Sequence, residues 1–399
     1  MKILWVKCDF LHPTTKGGQI RTLETLRRLH ERHEIHYVAF QDPGRPEGLA
    51  RAGEYSTRAY PVTLRTPPRA SLAFAGQLLR NLFSTLPLSL ARYRSDEMRR
   101  TIERLLSRER FDSMVCDFLS AAPNIPNLDR AVLFQHNVET VIWRRLASQG
   151  SLLKRTYFGL QADRMLRYES DACRRAGRVI AVSPDDARLL TEMGGAANVA
   201  AIPTGVDISY FASPSDRVPP TADLVFVGSM DWMPNIDGVR WFLERILPLI
   251  HGKRPATTVA IVGRKPSSEF VAAAKKDSRI RVTGTLPDIR PWLWGSSVSI
   301  VPLRIGGGTR LKIYEAMAAR VPVVSTAVGA EGLDIHPPHD IRIADTPEDF
   351  AAQCLELLED PATSLKIVDA AWKMVASEFS WEQVALCFSR ILESSPRPR

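Results

Sequence analysis

Lys312 and Glu315, three positions apart in the run IGGGTRLKIYEAMAARVPVVSTAVGAE (residues 305–331), are the pair whose chemistry organises this chain. At that spacing both side chains share one helical face. The ammonium suits a phosphate, and the carboxylate can accept hydrogen bonds from sugar hydroxyls. Directly before them stand Gly306, Gly307 and Gly308, then Thr309 and Arg310. A glycine-lined approach to a helix start lets an anion reach backbone N–H groups that have no partner inside the helix and carry the positive end of its dipole. Together these residues describe a pocket for a sugar-bearing nucleotide. On spacing alone, the competing reading is a tight strand-to-helix connection with a surface Lys–Glu pair, because short glycine-rich motifs are common.

The apolar run Val298 to Leu303 reads as the strand that delivers the glycines, residues 310–320 as the helix, and Pro322 to Ser325 as the next buried parallel strand. At the other end of the chain, Ile3 to Val6 is an apolar run that stops in the polar loop CDFLHPTTKGGQ. Gly17 and Gly18 then open a helix from Gln19 to Glu31, with Ile20, Leu23, Leu26 and Leu29 at helical spacing. With a strand over His33 to Phe40 this makes a βαβ start, hence a parallel sheet with a right-handed crossover. Phe111 to Asp117 and Ala131 to Phe134 read as further strands, the latter leading into Gln135-His136-Asn137-Val138-Glu139. His136 thus falls at the carboxyl end of a parallel strand, where ligands bind in open α/β sheets.

Arg144 to Arg178 reads as one helix and Val179 to Val182 as a strand, with Ser183 capping and Pro184 starting the helix that follows. A Pro- and Ser-rich run through Pro220 marks a domain boundary. Beyond it, Leu224 to Val227, Thr258 to Val262 and Ile280 to Val282 read as strands. The turn GSMDWMPNIDG and a helix over Val239 to Leu249 follow the first of them. Pro347 to Glu359 and Ala362 to Glu378 read as helices, and Ser380 caps a last one striped by Trp381, Val384, Ala385 and Phe388.

With 399 residues the chain is long enough for two ordinary domains. Its 45% apolar and 24% charged residues fit a soluble globular protein. No apolar run approaches the ~18 residues that cross a bilayer, and MKILWVKCDF has too short an apolar core for a signal peptide. Five dispersed cysteines argue for reduced thiols in the cytoplasm and against a disulfide frame or a zinc site. The net charge of +9 calls for an electronegative partner. No zinc finger, helix-turn-helix or aromatic-basic RNA signature is present, so nucleic acid gives way to a phosphorylated substrate or an anionic membrane surface.

Residues 62–110 carry ten arginines against four acidic residues, interleaved with Leu72, Phe74, Leu78, Leu79, Leu82, Phe83 and Leu86. That pattern predicts an amphipathic helical hairpin able to dock peripherally on anionic lipid, each Arg contributing roughly 1 kcal/mol. A solvated face over a core-packed helix would show the same pattern.

GGGTRLKIYEAMAARVPVVSTAVGAEGL resembles the donor-binding signature of the large retaining family-4 glycosyltransferases, and FQHNVET, AVSPDDARLL and AIPTGVD extend the resemblance over most of the chain. It implies an α/β fold of the GT-B kind, two Rossmann-like parallel-sheet domains facing across a cleft. Residues 1–205 would form the acceptor-side domain, 206–220 a linker, 221–375 the nucleotide-sugar-binding domain, and 376–399 a helix crossing back to the first domain. By the same resemblance Glu315 binds the ribose and His136 reaches the donor sugar. Gly17 and Gly18 lie near the diphosphate and acceptor, the loop holding Thr285 and Leu286 brackets the base, and Gly228, Gly307, Gly308, Thr309 and Leu311 complete the donor site.

Two departures stand out. The second Glu that normally lies eight positions before Glu315 in the family is here Gly307, and where many members place an Arg and a Lys after the strand ending at Val227 this sequence offers only Ser229, Asp231 and Asn235. The diphosphate must then be met by Lys312 and Arg310, with Arg304 a third cation; His136, Lys312 and Arg310 make up the expected catalytic set. The implied reaction moves a sugar from a nucleotide-diphosphate sugar to a hydroxyl acceptor with retention, without metal or cofactor. Its setting would be envelope polysaccharide or glycolipid assembly at the cytoplasmic face of the membrane, with a lipid-linked acceptor as one candidate. A sugar-nucleotide epimerase of the same architecture and a non-catalytic GT-B-like binding protein are the rival readings.

Overall fold

Runs such as Ile3–Val6, Val132–Phe134 and Val259–Val262 are apolar at successive positions, the pattern of strands covered on both faces. In the computed structural model each lies inside an all-parallel sheet. The structure describes residues 1–14, 17–64, 71, 72, 76, 79, 81, 83–147, 152–195, 198–214, 218–305 and 311–398, with backbone alone at 152–154. The chain falls into two compact units, Met1–Pro203 with Val384–Arg399, and Thr204–Gln383.

The first unit holds β1 (Lys2–Val6), β2 (Glu34–Gln41), β3 (Arg58–Thr63), β4 (Ser113–Asp117), β5 (Val132–Phe134), β6 (Arg178–Ala181) and β7 (Val199–Ala201). They lie in the order β3-β2-β1-β4-β5-β6-β7. Strand β1 pairs with β2 on one side, Ile3 opposite Ile35, and with β4 on the other, Leu4 opposite Met114. The winding therefore reverses between β1 and β4, and ligands of such sheets bind beyond the carboxyl ends at that reversal.

The second unit repeats the plan with β8 (Ala222–Val227), β9 (Val259–Val262), β10 (Ile280–Val282), β11 (Ser296–Val301), β12 (Val323–Ser325) and β13 (Arg342–Ile343), in the order β10-β9-β8-β11-β12-β13. Here the reversal falls between β8 and β11, so their carboxyl ends are the second place to look for chemistry.

Large aromatics anchor both cores. Trp5 is fully buried against Phe134 and against Phe388 of the helix Trp381–Glu393, with the Trp5 and Phe388 rings 5.4 Å apart. Phe226, Phe242 and Phe350 play that part in the second unit. Each such side chain contributes roughly 1.5–3 kcal/mol by leaving water.

Several elements differ from the reading of the sequence. Strand β3, RAYPVT, occupies the edge of its sheet, which is where a proline without an N–H is tolerated. It takes up the start of the stretch expected to be a helical hairpin. Of the rest, the helix Asp96–Arg108 is present, capped by Ser95 Oγ and burying Met98, Ile102 and Leu105. Residues 65–70, 73–75, 77, 78, 80 and 82 of the expected hairpin lie outside the described residues.

The single helix expected over Arg144 to Arg178 is two, Glu139–Ala147 and Leu152–Arg175. The helix after β8 starts at Met233, with Pro234 in its first turn where a missing N–H costs nothing, and it runs through a π-helical stretch to Lys253. Strands β7 and β13, three and two residues long, are too short to announce themselves by periodicity. No helix among the described residues is long and apolar enough to cross a membrane.

Candidate active site

At the reversal point of the first unit, Lys7 follows β1 and Asp117 ends β4, and their buried side chains pair at 3.0 Å. Asp117 accepts four hydrogen bonds: from Lys7 Nζ, Trp5 Nε1 (2.9 Å), Thr22 Oγ1 (2.7 Å) and His136 Nε2 (2.7 Å). A carboxylate only accepts, so His136 carries its proton on Nε2, and Nδ1 is left to accept from Arg21 at 3.2 Å. Burial, with Lys7 and Arg21 adding to it, pushes His136 down to about 3 against the pull of Asp117. The imidazole is therefore neutral at physiological pH. Burial alone would raise the Asp117 carboxyl, but Lys7 and the hydrogen bonds from His136 and Thr22 hold it well below the usual carboxylate range.

Phe118 fixes the ring of His136 from one face. Their rings stack at 3.9 Å and 7°, and Lys7 Nζ lies 4.1 Å from the Phe118 centroid. Phe118 has φ of 72°, a left-handed conformation that costs a bulky residue energy and is found where surroundings over-determine the backbone. Gly18 belongs to the same packing, since a Cβ there would stand 2.5 Å from Phe118 Cζ, whereas a Cβ on Gly17 would meet nothing within 4 Å. The segment carrying His136 is held by fully buried Glu169, which accepts from Gln135 Nε2, from the amides of Glu139 and Thr140, and from Thr140 Oγ1. Burial, and then Glu169 itself, pushes the Glu139 carboxyl up to about 7.

In the second unit Gly228 follows β8. A Cβ there would lie 2.8 Å from Asn235 Nδ2 and 2.9 Å from Lys312 Nζ. Lys312, at the start of the helix Leu311–Ala318, donates to Asn235 Oδ1 at 3.0 Å and lies 4.4 Å from the Phe226 ring centroid. Asn235 in turn donates to the carbonyl of Ser229 at 2.8 Å. One helical turn on, half-buried Glu315 accepts no hydrogen bond from a described residue. Burial raises its carboxyl, and Lys312 pulls it back.

The other expected residues fall as follows. Thr285 is exposed and Leu286 half-buried against the core of this unit, in the loop after β10 whose Gly284 has φ of 74°. Leu311 is the half-buried first residue of its helix. Gly307, Gly308, Thr309 and Arg310 lie outside the described residues, as does Gly306. Arg304 is engaged elsewhere, making two hydrogen bonds to Asp237 at 3.0 and 2.7 Å.

Reading along the chain passed over Lys7, Arg21, Asp117 and Phe118 as a group, because only the strand order brings residues 110 positions apart together. It also passed over Arg264 and Lys265, which follow β9. Arg264 Nε donates to Ser229 Oγ at 2.7 Å, and both cations approach Asp231, at 3.5 Å for Arg264 and 3.3 Å for Lys265. As for metal ligands, Glu34, His36 and Glu109 bring donor atoms within 4.8 Å of one another. Lys2 Nζ already sits between the two carboxylates, 3.2 Å from Glu34 and 2.5 Å from Glu109. This group lies at the amino end of β2, away from the carboxyl ends where ligands of parallel sheets bind.

Known proteins match the chain in sequence and in fold. Residues 15–210 match the family model described as Glycosyltransferase Family 4, and residues 221–360 the one described as Glycosyl transferases group 1. The chain is 20% identical over 407 residues to the "Uncharacterized 44.6 kDa protein in cps region" of Klebsiella pneumoniae, covering 99% of this chain and 100% of that protein. It is 27% identical over 217 residues to the GDP-mannose-dependent monoacylated alpha-(1-6)-phosphatidylinositol monomannoside mannosyltransferase of Corynebacterium glutamicum, an alignment covering 49% of this chain and 56% of that enzyme. Anabaena HepE in complex with UDP superposes with a TM-score of 0.66 at 15% identity, over 99% of this chain and 100% of that one. The likeness is one of fold: the two parallel sheets with flanking helices match GT-B structures.

Proposed function

Because the chain belongs to glycosyltransferase family 4, a retaining, metal-independent family that uses nucleotide sugars, we propose that its donor is held by the Gly228–Asn235–Lys312–Glu315 corner and its acceptor is a hydroxyl of an envelope glycan precursor. The observation that carries the donor assignment is a tethered ammonium one turn from a carboxylate that accepts no hydrogen bond from a described residue, beside a glycine where a Cβ would press on Asn235 and on the ammonium itself. As the bond from the anomeric carbon to the phosphate oxygen breaks, negative charge grows on the diphosphate. Lys312 and the amides opening its helix are the groups that would stabilise it.

Glu315 would accept from the ribose hydroxyls, a role that suits a desolvated carboxylate still kept ionisable by Lys312. The loop with Thr285 and Leu286 would bracket the base through backbone groups. We assign His136 to the donor sugar, its Nδ1 exchanging the Arg21 N–H for a sugar hydroxyl while Asp117 keeps the tautomer fixed. The acceptor proton would pass to the departing diphosphate oxygen, so no further base is required.

The setting in envelope glycan assembly draws on the full-length relative from a cps region and on the arginine-rich stretch 62–110, where Leu72, Leu79 and Phe83 are exposed. The test is a panel of UDP- and GDP-sugars, each incubated with the chain and with glycan or lipid-linked acceptors. Release of nucleoside diphosphate together with a glycosylated product supports the reading. Binding of nucleotide sugars without release from any of them favours a non-catalytic role, and interconversion of the free sugar nucleotide favours an epimerase.

A further inference from the structure

The loop after β8 offers Ser229, Asp231 and Asn235 where the family resemblance calls for two cations. We propose that Arg264 and Lys265, at the carboxyl end of the neighbouring strand β9, bind the diphosphate of the donor in place of the missing pair. This rests on the reading of the Gly228–Lys312 corner as the diphosphate site.

Sheet order makes the substitution natural. Strand β8 lies between β9 and β11, so the turn after β9 and the helix after β11 flank Gly228 on its two sides. Lys312 arrives from the β11 side, Arg264 and Lys265 from the β9 side. The β9 turn is pinned to the β8 turn: Gly228 N–H donates to the carbonyl of Val262 at 2.9 Å, Met230 N–H to that of Arg264 at 3.0 Å, and Arg264 Nε to Ser229 Oγ. Gly263 approaches so closely that a Cβ there would lie 1.8 Å from the carbonyl oxygen of Gly228. The backbone turn that carries the two cations therefore has a fixed place beside the glycine.

Lys265 adds a second observation. Its φ of 52° puts it in the left-handed region, where glycine or asparagine is the ordinary occupant. A lysine held in that conformation brings a charge to the turn at a conformational cost that glycine would avoid.

Both cations converge on Asp231, itself fixed by a 2.6 Å hydrogen bond from Ser229 Oγ, and their side chains are 59% and 71% exposed. Ion pairs this wet are weak and exchange readily. A diphosphate, with more charge and more acceptor oxygens than one carboxylate, is a better partner for a guanidinium and an ammonium placed together.

Calorimetric titration of the full chain with UDP and GDP, and with uridine and guanosine as phosphate-free arms, tests this directly. Arg264→Gln and Lys265→Gly should each weaken the preferred nucleoside diphosphate about 10-fold or more and leave the matching nucleoside unchanged. Lys265→Gly should also keep or raise the melting temperature, since glycine suits that backbone, so lost affinity cannot be put down to lost fold. Unchanged diphosphate affinity in both variants overturns the proposal, as does equal weakening of nucleoside and diphosphate. If Lys312→Ala and Glu315→Gln also leave diphosphate binding untouched, or the wild-type chain binds neither diphosphate, the underlying donor-site reading falls with it.

Discussion

Replacing Asp117 by asparagine is the sharpest probe of the first unit, because it removes one charge while keeping the size of the side chain. Asp117 is fully buried and Lys7 is 2% exposed, so the ammonium loses its counterion out of reach of bulk solvent. An uncompensated buried charge of this kind costs about 3–5 kcal/mol. The amide also cannot accept all four hydrogen bonds that the carboxylate now takes from Lys7, Trp5, Thr22 and His136. Each buried donor left unsatisfied adds about 1–3 kcal/mol before relaxation.

We therefore expect Asp117→Asn to destabilise this unit by at least about 3 kcal/mol, and Lys7→Met to relieve much of that loss when the two are combined. Native-state hydrogen exchange of the β1 and β4 amides reports the unit by itself, without assuming that the two units unfold together. A loss below about 1 kcal/mol in the single variant, or strictly additive losses in the double variant, would refute the reasoning.

Three further outcomes follow from the geometry. Lys312→Ala should lower turnover by ~10²-fold or more, the usual consequence of losing one charge contact to a developing anion; turnover within a few-fold of the parent contradicts this. His136 sits at about 3 in the folded chain against an ordinary value of about 6.5, so the unfolded chain takes up the proton first as pH falls. Its contribution to stability is complete above pH ~6.5 and is lost toward pH ~3, at no more than ~1.4 kcal/mol per pH unit; Asp117, whose carboxyl is also depressed, adds loss of the same sign at the acid end. Stability measured between pH 4 and 8 should fall less steeply in His136→Gln than in the parent, and an equal slope counts against a neutral buried imidazole. Finally, reversing Arg92, Arg94, Arg99 and Arg100 to Glu should reduce sedimentation with anionic vesicles at low salt, where surface charge is least screened; equal sedimentation removes the docking surface.

What the sequence revealed depends on how local each signal is. The helix Pro347–Glu359 is readable residue for residue, because Pro347 starts it after Thr346, whose hydroxyl accepts from the Asp349 amide. The Lys312–Glu315 face is legible because helical spacing alone makes them neighbours. Strand β3 is hidden by Pro61, which signals a break everywhere except at a sheet edge. Asp117 is visible as the end of a strand, but its bond to Lys7 exists only once β1 and β4 are adjacent. The same limit hid Arg264 and Lys265: a search for cations after β8 looks downstream in the chain, whereas the parallel neighbour β9 brings them from the side.

The central claim is that the corner formed by Gly228, Lys312 and Glu315 grips an activated sugar through its diphosphate and ribose. A structure of the chain with UDP or GDP bound tests it most directly. The account predicts a phosphate oxygen within about 3.2 Å of Lys312 Nζ and ribose hydroxyls on the Glu315 carboxylate. A nucleotide bound elsewhere, with Lys312 still on Asn235 and the corner filled by protein side chains, would contradict it.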